Sequence, residues 1–513
     1  MTIPFPGPDA LGPDHVDLSI SARVLAGRLP PGFVLGAATA AYQVEGAVRE
    51  DGRGPSVWDT WVAGKEAAVD GSTADVSTDH YHRMPEDVAL MAGLGLDAYR
   101  FSTAWPRIFP DASGVPNRRG LDFYHRLLDQ LDARGIAPML TLFHWDTPQY
   151  IEDDGGWMER DAAYRFADYA AVMGREFGDR VRWWCTVNEP ATVAGNGYGS
   201  ALHAPAGNAG VKSLRAVHHL LLGHGLATQA LRAEGVAGGI GMSNVHSPSE
   251  PADPTSLLDR TVADLVDTAY NRLFADPVFL GTYPAAVQAA ARFAGLRIRD
   301  GDLTTINQPL DFYGLNYYMP TLVASGPGEE GPLPASLVLP TGGEPEEAAT
   351  PFHVVEWPGA ELTAYGWPIV PGHLGVMLGR MRDRYPNMPP VFITEGGVSF
   401  EEAPELDPAT GVVQVQDTAR AHYLREHVTA ALDAVKPGGP AAGMDLRGYF
   451  VWTLMDNWEW AAGYRQTFGL VHVDRETLNR TPKASYHWLA KVIAHRAGLP
   501  EEDGAVESDV VGA

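Results

Sequence analysis

The chain has 513 residues, with 38 basic and 64 acidic side chains and a net charge of −26 at pH 7. That acidic surplus leaves little to neutralise phosphates, so neither nucleic acid nor an anionic membrane is expected as a partner. The single cysteine, Cys185, excludes an intrachain disulfide and a cysteine zinc cluster.

Residues 1–30, rich in Pro, Gly and Asp, read as a lead-in without a basic or long apolar leader segment. No run of about 18 apolar residues exists, so no membrane helix is expected and the chain reads as cytoplasmic. Short apolar, strand-like runs follow at 33–39, 98–105, 137–144, 182–188, 239–244, 312–318, 391–395 and 448–454. Between them lie stretches such as 121–134, 162–177, 211–233 and 418–435, with apolar residues at i, i+3 and i+4. Eight strand-then-helix units predict an α/β fold, a (β/α)8 TIM barrel in one domain over 31–496 with extended βα loops. The runs are continuously apolar rather than alternating, as parallel strands buried on both faces require. Residues 324–362 form a long insertion rich in Pro, Gly and Glu after the sixth strand, expected over the mouth of a pocket. Residues 497–513 are polar and acidic and read as a disordered tail.

Barrel enzymes carry their chemistry at the C-terminal ends of the strands. The residues ending these runs are Arg100 and Trp105, His144 and Trp145, Asn188 and Glu189, Asn244, Asn316 and Tyr318, and Glu395. Glu189 and Glu395 each close an apolar run, where a carboxylate is costly unless paired or used. Two carboxylates facing one pocket are the machinery for cutting a glycosidic bond.

Seven segments carry a resemblance. They are Phe33-Val-Leu-Gly-Ala-Ala-Thr-Ala-Ala-Tyr-Gln-Val-Glu-Gly, Tyr99-Arg-Phe-Ser-Thr-Ala-Trp-Pro-Arg-Ile, Leu142-Phe-His-Trp-Asp-Thr-Pro and Thr186-Val-Asn-Glu-Pro. Then come Gly314-Leu-Asn-Tyr-Tyr, Ile393-Thr-Glu-Gly-Gly and Trp452-Thr-Leu-Met-Asp-Asn-Trp-Glu-Trp. In this order they resemble glycoside hydrolase family 1, the retaining β-glucosidases, over about residues 30–495.

The resemblance implies Glu189 as general acid/base and Glu395 as nucleophile, with carboxyls about 5–5.5 Å apart. At that spacing the charge of Glu395 would raise the proton affinity of Glu189. It implies Gln43, His144, Asn188 and Glu459 as the hydrogen-bonding set for sugar hydroxyls, with Asn188 on the 2-hydroxyl. Trp452 would lie under the ring, Trp145 and Trp460 beside it, Phe468 at its wall and Trp367 on the aglycone side. Arg100, Asn316 and Tyr318 would stand by Glu395, Arg100 to support its charge and the Tyr318 hydroxyl to orient it. The implied substrates are β-glucosides and cello-oligosaccharides, with galactosides and fucosides as further candidates. No cofactor or metal is implied, and self-association stays open. One departure stands out: Gly396 follows the nucleophile where the family usually has Asn, which removes a side chain and loosens the backbone there.

Other signals weigh less. Gly93-Leu-Gly-Leu-Asp-Ala98 fits a relaxed dinucleotide fingerprint but precedes a strand instead of following one. His80 and His82 beside Asp79 read as structural, and His218, His219 and His224 as surface or packing residues. Two rival functions remain. A 6-phospho-β-glycosidase would want cations where Glu459 and Trp460 stand, and an inactive sugar-binding barrel would lack one of the two glutamates.

Overall fold

The computed structural model describes residues 18–64, 68–328, 352–406, 408 and 413–499. Eight parallel strands close into a barrel in chain order: β1 (Val34–Ala38), β2 (Ala98–Ser102), β3 (Ala137–Phe143), β4 (Trp183–Asn188), β5 (Gly239–Val245), β6 (Tyr313–Asn316), β7 (Val391–Gly396) and β8 (Leu446–Trp452). β8 returns to β1 in register, Ala38 opposite Trp452. All eight predicted strands are present. Their bounds differ by a few residues because the polar ends leave the ladder; β2 stops at Ser102, and Trp105 instead packs between barrel and helices against Phe166 and Tyr169.

The barrel interior is plugged at its lower end by Met139, Cys185, Phe312, Phe392 and Phe450. Glycines in the wall make room for these rings. A Cβ on Gly36 would meet the Phe450 ring at 2.4 Å, and one on Gly241 would meet the Phe312 ring at 2.9 Å. This apolar floor keeps water from reaching the polar strand ends from below.

The outer layer includes His80–Leu94, Arg118–Asp132, Asp161–Phe177, Leu214–Ala233, Gly372–Arg384, Thr418–Val435 and Ala484–Arg496. The stretch read as one helix from 211 starts with a 3-10 turn, Gly210–Ser213. His218, His219 and His224 are all buried packing residues, not surface ones; His218 bonds to Tyr283 and Asp302, both at 3.0 Å. His80 is tied to Asp87 at 2.7 Å, and among the described residues no cluster of His, Cys, Asp and Glu is arranged to hold a metal ion.

The lead-in contributes a helix, Leu18–Ala26, that buries Ala22 and Leu25 against the last helix, where Trp488 Nε1 donates to Ser21 Oγ at 3.0 Å. The ends of the long insertion pair as Thr321–Ser325 with Phe352–Val355, in a small sheet with Ser249–Pro251. The middle of the insertion, the first 17 residues and the tail from 500 lie outside the described residues. No described helix is long and apolar enough to cross a membrane.

Candidate active site

Both glutamates stand at the upper end of the barrel, and the strands that bring them there are irregular. In β4 the pairing with β5 runs Cys185 to Gly241 and then Asn188 to Ser243, a register shift just before Glu189. In β7 a shift falls between Ile393 and Glu395 against β6, and between Ile393 and Gly396 against β8. Such irregularities re-aim side chains. Glu189 itself has φ 46°, and Trp145 and Trp460 have φ 77° and 50°. Left-handed backbone at non-glycine residues costs of order 1–3 kcal/mol each and gathers at functional sites.

The glutamates are 5% and 3% exposed, and a hydrogen-bonded chain joins them. Arg100 Nη1 donates to Glu395 Oε1 at 2.6 Å, and its Nη2 donates to Asn188 Oδ1 at 2.6 Å. Asn316 Nδ2 donates to Asn188 Oδ1 at 3.1 Å and to Glu189 Oε1 at 2.8 Å. The Tyr318 hydroxyl donates to Glu395 Oε2 at 2.7 Å. Arg100 and Tyr318 therefore meet Glu395 as expected. Asn316 pairs with Glu395 along the ladder but gives its amide to Glu189, because the bulge turns the two side chains apart.

Glu189 is pushed up to about 8, by burial first and by the charge of Glu395 second, against the bonds from Asn316 and Thr192. The sequence-based expectation credited Glu395 alone; removal from water is the larger cause. Glu459 is likewise raised to about 8 by burial, with the charges of Glu395 and Glu189 adding to it. His144 lies well below its ordinary value, because burial and Arg100 both oppose its charge. Asn188 Oδ1 accepts two donors, so its Nδ2 faces the neutral imidazole and donates to His144 Nε2 at 3.1 Å.

Gln43 Nε2 lies 2.9 Å from Glu459 Oε2, 3.0 Å from Trp458 carbonyl oxygen and 3.1 Å from Asn457 Oδ1. Its Oε1 is buried without a partner among the described residues. His144 stacks between Trp452 (5.7 Å) and Trp460 (5.9 Å), and Trp145 meets Trp460 at 4.4 Å. Phe468, Tyr318 and Trp367 form one aromatic corner. Trp367 is held by a tight turn in which Thr363 Oγ1 accepts from the amides of Tyr365 and Trp367, with Gly366 at φ 76°. All the residues named from the sequence thus lie in this site or its wall, except the strand-end residues Trp105 and Asn244. Asn244 is fully buried with both amide atoms unpartnered among the described residues, and its neighbour Ser243 is the one that joins the site.

Sequence reasoning missed several supports. Thr192 Oγ1 donates to Glu189 Oε2 at 2.8 Å; its place three residues on, in the turn that starts at Glu189, was the available signal. Ser243 and Thr394 both hydrogen-bond to Asn316 Oδ1, at 2.9 and 2.7 Å, fixing which way that amide points. Tyr365 stacks flat on Trp367, 4.5 Å apart and 7° from parallel.

A parallel eight-stranded barrel with two linked, buried glutamates at its upper end defines a class: a glycoside hydrolase built on a TIM barrel. The chain belongs to glycosyl hydrolase family 1, whose profile matches residues 25–497. It is 44% identical over 471 residues to the thermostable β-glucosidase B of Thermobispora bispora, covering 92% of this chain and 91% of that one. It is 42% identical over 477 residues to a bifunctional β-D-glucosidase/β-D-fucosidase of Bifidobacterium breve, covering 91% and 98%. Among solved structures it resembles a psychrophilic β-glucosidase from Micrococcus antarcticus, with TM-score 0.84, 39% identity, and 93% and 99% coverage. A β-glucosidase from Thermotoga maritima in complex with deoxynojirimycin matches with TM-score 0.81, 37% identity, and 91% and 99% coverage.

Proposed function

We propose that the chain is a retaining exo-β-glucosidase that releases terminal β-D-glucosyl residues from aryl glucosides and cello-oligosaccharides in the cytoplasm, with β-fucosides and β-galactosides as secondary substrates. Glu395 attacks the anomeric carbon while Glu189 protonates the leaving oxygen; Glu189 then deprotonates the water that releases the sugar. The observation that carries this division is the contrast between the two carboxyls. Glu189 is raised to about 8 and so holds a proton at neutral pH, whereas Glu395 faces the Arg100 guanidinium at 2.6 Å. Forming the glycosyl-enzyme removes the charge of Glu395, and with it one of the two causes that hold the proton on Glu189 just before Glu189 must act as base.

Sugar binding follows from the unspent donors and acceptors. The free Gln43 Oε1 suits a sugar hydroxyl that donates, and Glu459 suits a second one beside it. Buried groups of this kind reject sugars that leave them unpaired. Trp452, Trp460 and Trp145 offer apolar faces for the ring, and Trp367 a platform for the aglycone. The iminosugar deoxynojirimycin is expected to occupy this pocket and inhibit.

Azide tests the roles. Glu189→Ala is expected to keep first-step activity on dinitrophenyl glucoside, to lose about 10²–10⁴-fold on alkyl glucosides, and to yield β-glucosyl azide. Glu395→Ala is expected to yield α-glucosyl azide by a single inversion. An α-azide from the first variant and a β-azide from the second would exchange the two roles.

A further inference from the structure

A second cavity, of about 240 Å³, lies behind Glu189. It sits between the segment after β4 and the one after β5, walled by two π-helical stretches, Val193–Gly199 and Thr268–Arg272. Single π turns inside helical segments are uncommon and frequently mark functional sites. Apart from Thr192, which supports Glu189, the cavity shares no lining residue with the active site described above. Its lining holds no Asp, Glu, Lys or Arg among the described residues, which excludes ions. The walls are Leu214, Val217, Leu273, Phe274 and Val287, and the mouth opens at the exposed Val211 and Leu265. A polyhydroxylated sugar would find too few partners here. A cavity of about 150 Å³ suffices for benzene, so this one takes a single aromatic ring with a short substituent.

Five polar side chains line the cavity, Thr192, Asn196, Ser213, Thr268 and Tyr270, and Thr192 is the one bonded to the acid/base. Thr192 lines the cavity and spends its proton on Glu189 Oε2 at 2.8 Å. Its oxygen keeps acceptor capacity for an incoming O–H. Tyr270, also in the lining, has its phenol pushed far up by burial first and then by the charge of Glu189, which places that ring within the carboxylate's field.

We propose that this cavity binds a small aromatic alcohol, its ring among Leu214, Val217 and Phe274 and its hydroxyl on Thr192, and that occupancy is transmitted to Glu189 through the Thr192 bond. An alcohol that donates to Thr192 Oγ1 polarises the hydroxyl and strengthens its bond to Glu189. A stronger donor favours the ionised carboxylate. Glu189 then gives up its proton at lower pH, within a field otherwise set by Arg100, Tyr270, Tyr318, Glu395 and Glu459. The binding stands independently, while its effect on rate rests on Glu189 as the acid.

The test uses benzyl alcohol on the intact enzyme with the sugar pocket saturated by deoxynojirimycin. Calorimetry is expected to show binding that survives the iminosugar and is lost in Ala286→Trp and in Leu265→Trp, two lining positions exposed at the surface and remote from the reacting groups. Without the iminosugar, benzyl alcohol is expected to move the alkaline limb of kcat/KM on an alkyl glucoside to lower pH in the parent and not in either variant. The ratio kcat/KM reports only steps through formation of the glycosyl-enzyme, so capture of that intermediate by the alcohol does not contribute. Displacement of benzyl alcohol by deoxynojirimycin, binding unchanged in both variants, or bound alcohol with no shift of the limb would each overturn the proposal. A chain that cleaves no glucoside at all would defeat the proposed function alone, and calorimetry would still decide the binding.

Discussion

Adding a side chain at Gly396 is expected to strain the barrel wall. A Cβ there would stand 2.1 Å from the Tyr449 hydroxyl oxygen, 2.7 Å from its Cζ and 3.3 Å from its Cε2. Tyr449 is 1% exposed on β8, beside β7, which carries Glu395, so its ring has little room to retreat. The backbone at Gly396 is not left-handed, so the cost is crowding and not torsion. Overpacking of a filled core costs about 1–3 kcal/mol, and Gly396→Ala is expected to fall in that range, with Gly396→Asn at its upper end. Removing the phenolic oxygen relieves the closest contact and leaves the one to Cζ. Gly396→Ala/Tyr449→Phe is therefore expected to recover about 1 kcal/mol relative to the sum of the single changes, within the range of coupled neighbours. The sequence alone marks Gly396 as a departure that removes a side chain and loosens the backbone; the position of Tyr449 makes stability the first property to respond. Urea unfolding of the four proteins, with glucoside turnover measured on each, makes the comparison. A Gly396→Ala variant within about 0.5 kcal/mol of its parent, with no coupling to Tyr449→Phe, would refute the crowding argument.

Further expectations concern the carboxyls. On an alkyl glucoside, kcat/KM should hold up to about pH 8 and fall above it, because Glu189, raised to about 8, then loses the proton that the leaving oxygen needs. Glu459→Gln should keep that limb; its disappearance there would assign the limb to Glu459. Tyr318→Phe removes a 2.7 Å hydrogen bond to Glu395 and should lower kcat/KM by the worth of a bond to a charged group, about 1.5–3 kcal/mol; an unchanged value would deny Tyr318 its orienting role. A β-glucoside should be favoured over its 6-phosphate by at least about 100-fold in kcat/KM, about 2.7 kcal/mol. That ratio should widen as pH rises through 8 and Glu459 ionises; equal turnover would favour the phosphoglycosidase reading.

The strands were legible because each is a short apolar run stopped by a polar residue, a pattern set by burial on both faces. The positions of Glu189, Glu395, His144 and Asn188 were legible because these residues end such runs, whereas Gln43, Glu459, Trp460 and Phe468 were singled out only by the resemblance of their segments. The direction of a side chain at an irregular pair was not legible: Asn316 sits beside Glu395 in the ladder and bonds Glu189. Nor was the difference between Asn244 and Ser243, since one residue of phase decides which of them faces inward. Tyr449 and Gly396 meet across neighbouring strands far apart in sequence, and periodicity carries no record of that contact. The helix Leu18–Ala26 escaped notice because it is short and its partner, the helix bearing Trp488, lies at the other end of the chain.

The offsets in β4 and β7 also bear on how such an enzyme changes its stereochemistry. Retention and inversion differ by the gap between two carboxyls, a few ångströms. Here both carboxyls hang from ladders that skip a position just before them, so the gap is quantised by the pairing. Sliding either strand by one residue would send its glutamate into the helical layer, and sliding by two would carry it a whole pleat along the barrel axis. No small drift of the backbone connects the two outcomes. A lineage on this scaffold can vary its sugars and aglycones through the loops, whereas the anomeric configuration of the product is locked by strand alignment and would change only by rebuilding the wall or moving a carboxylate to another strand.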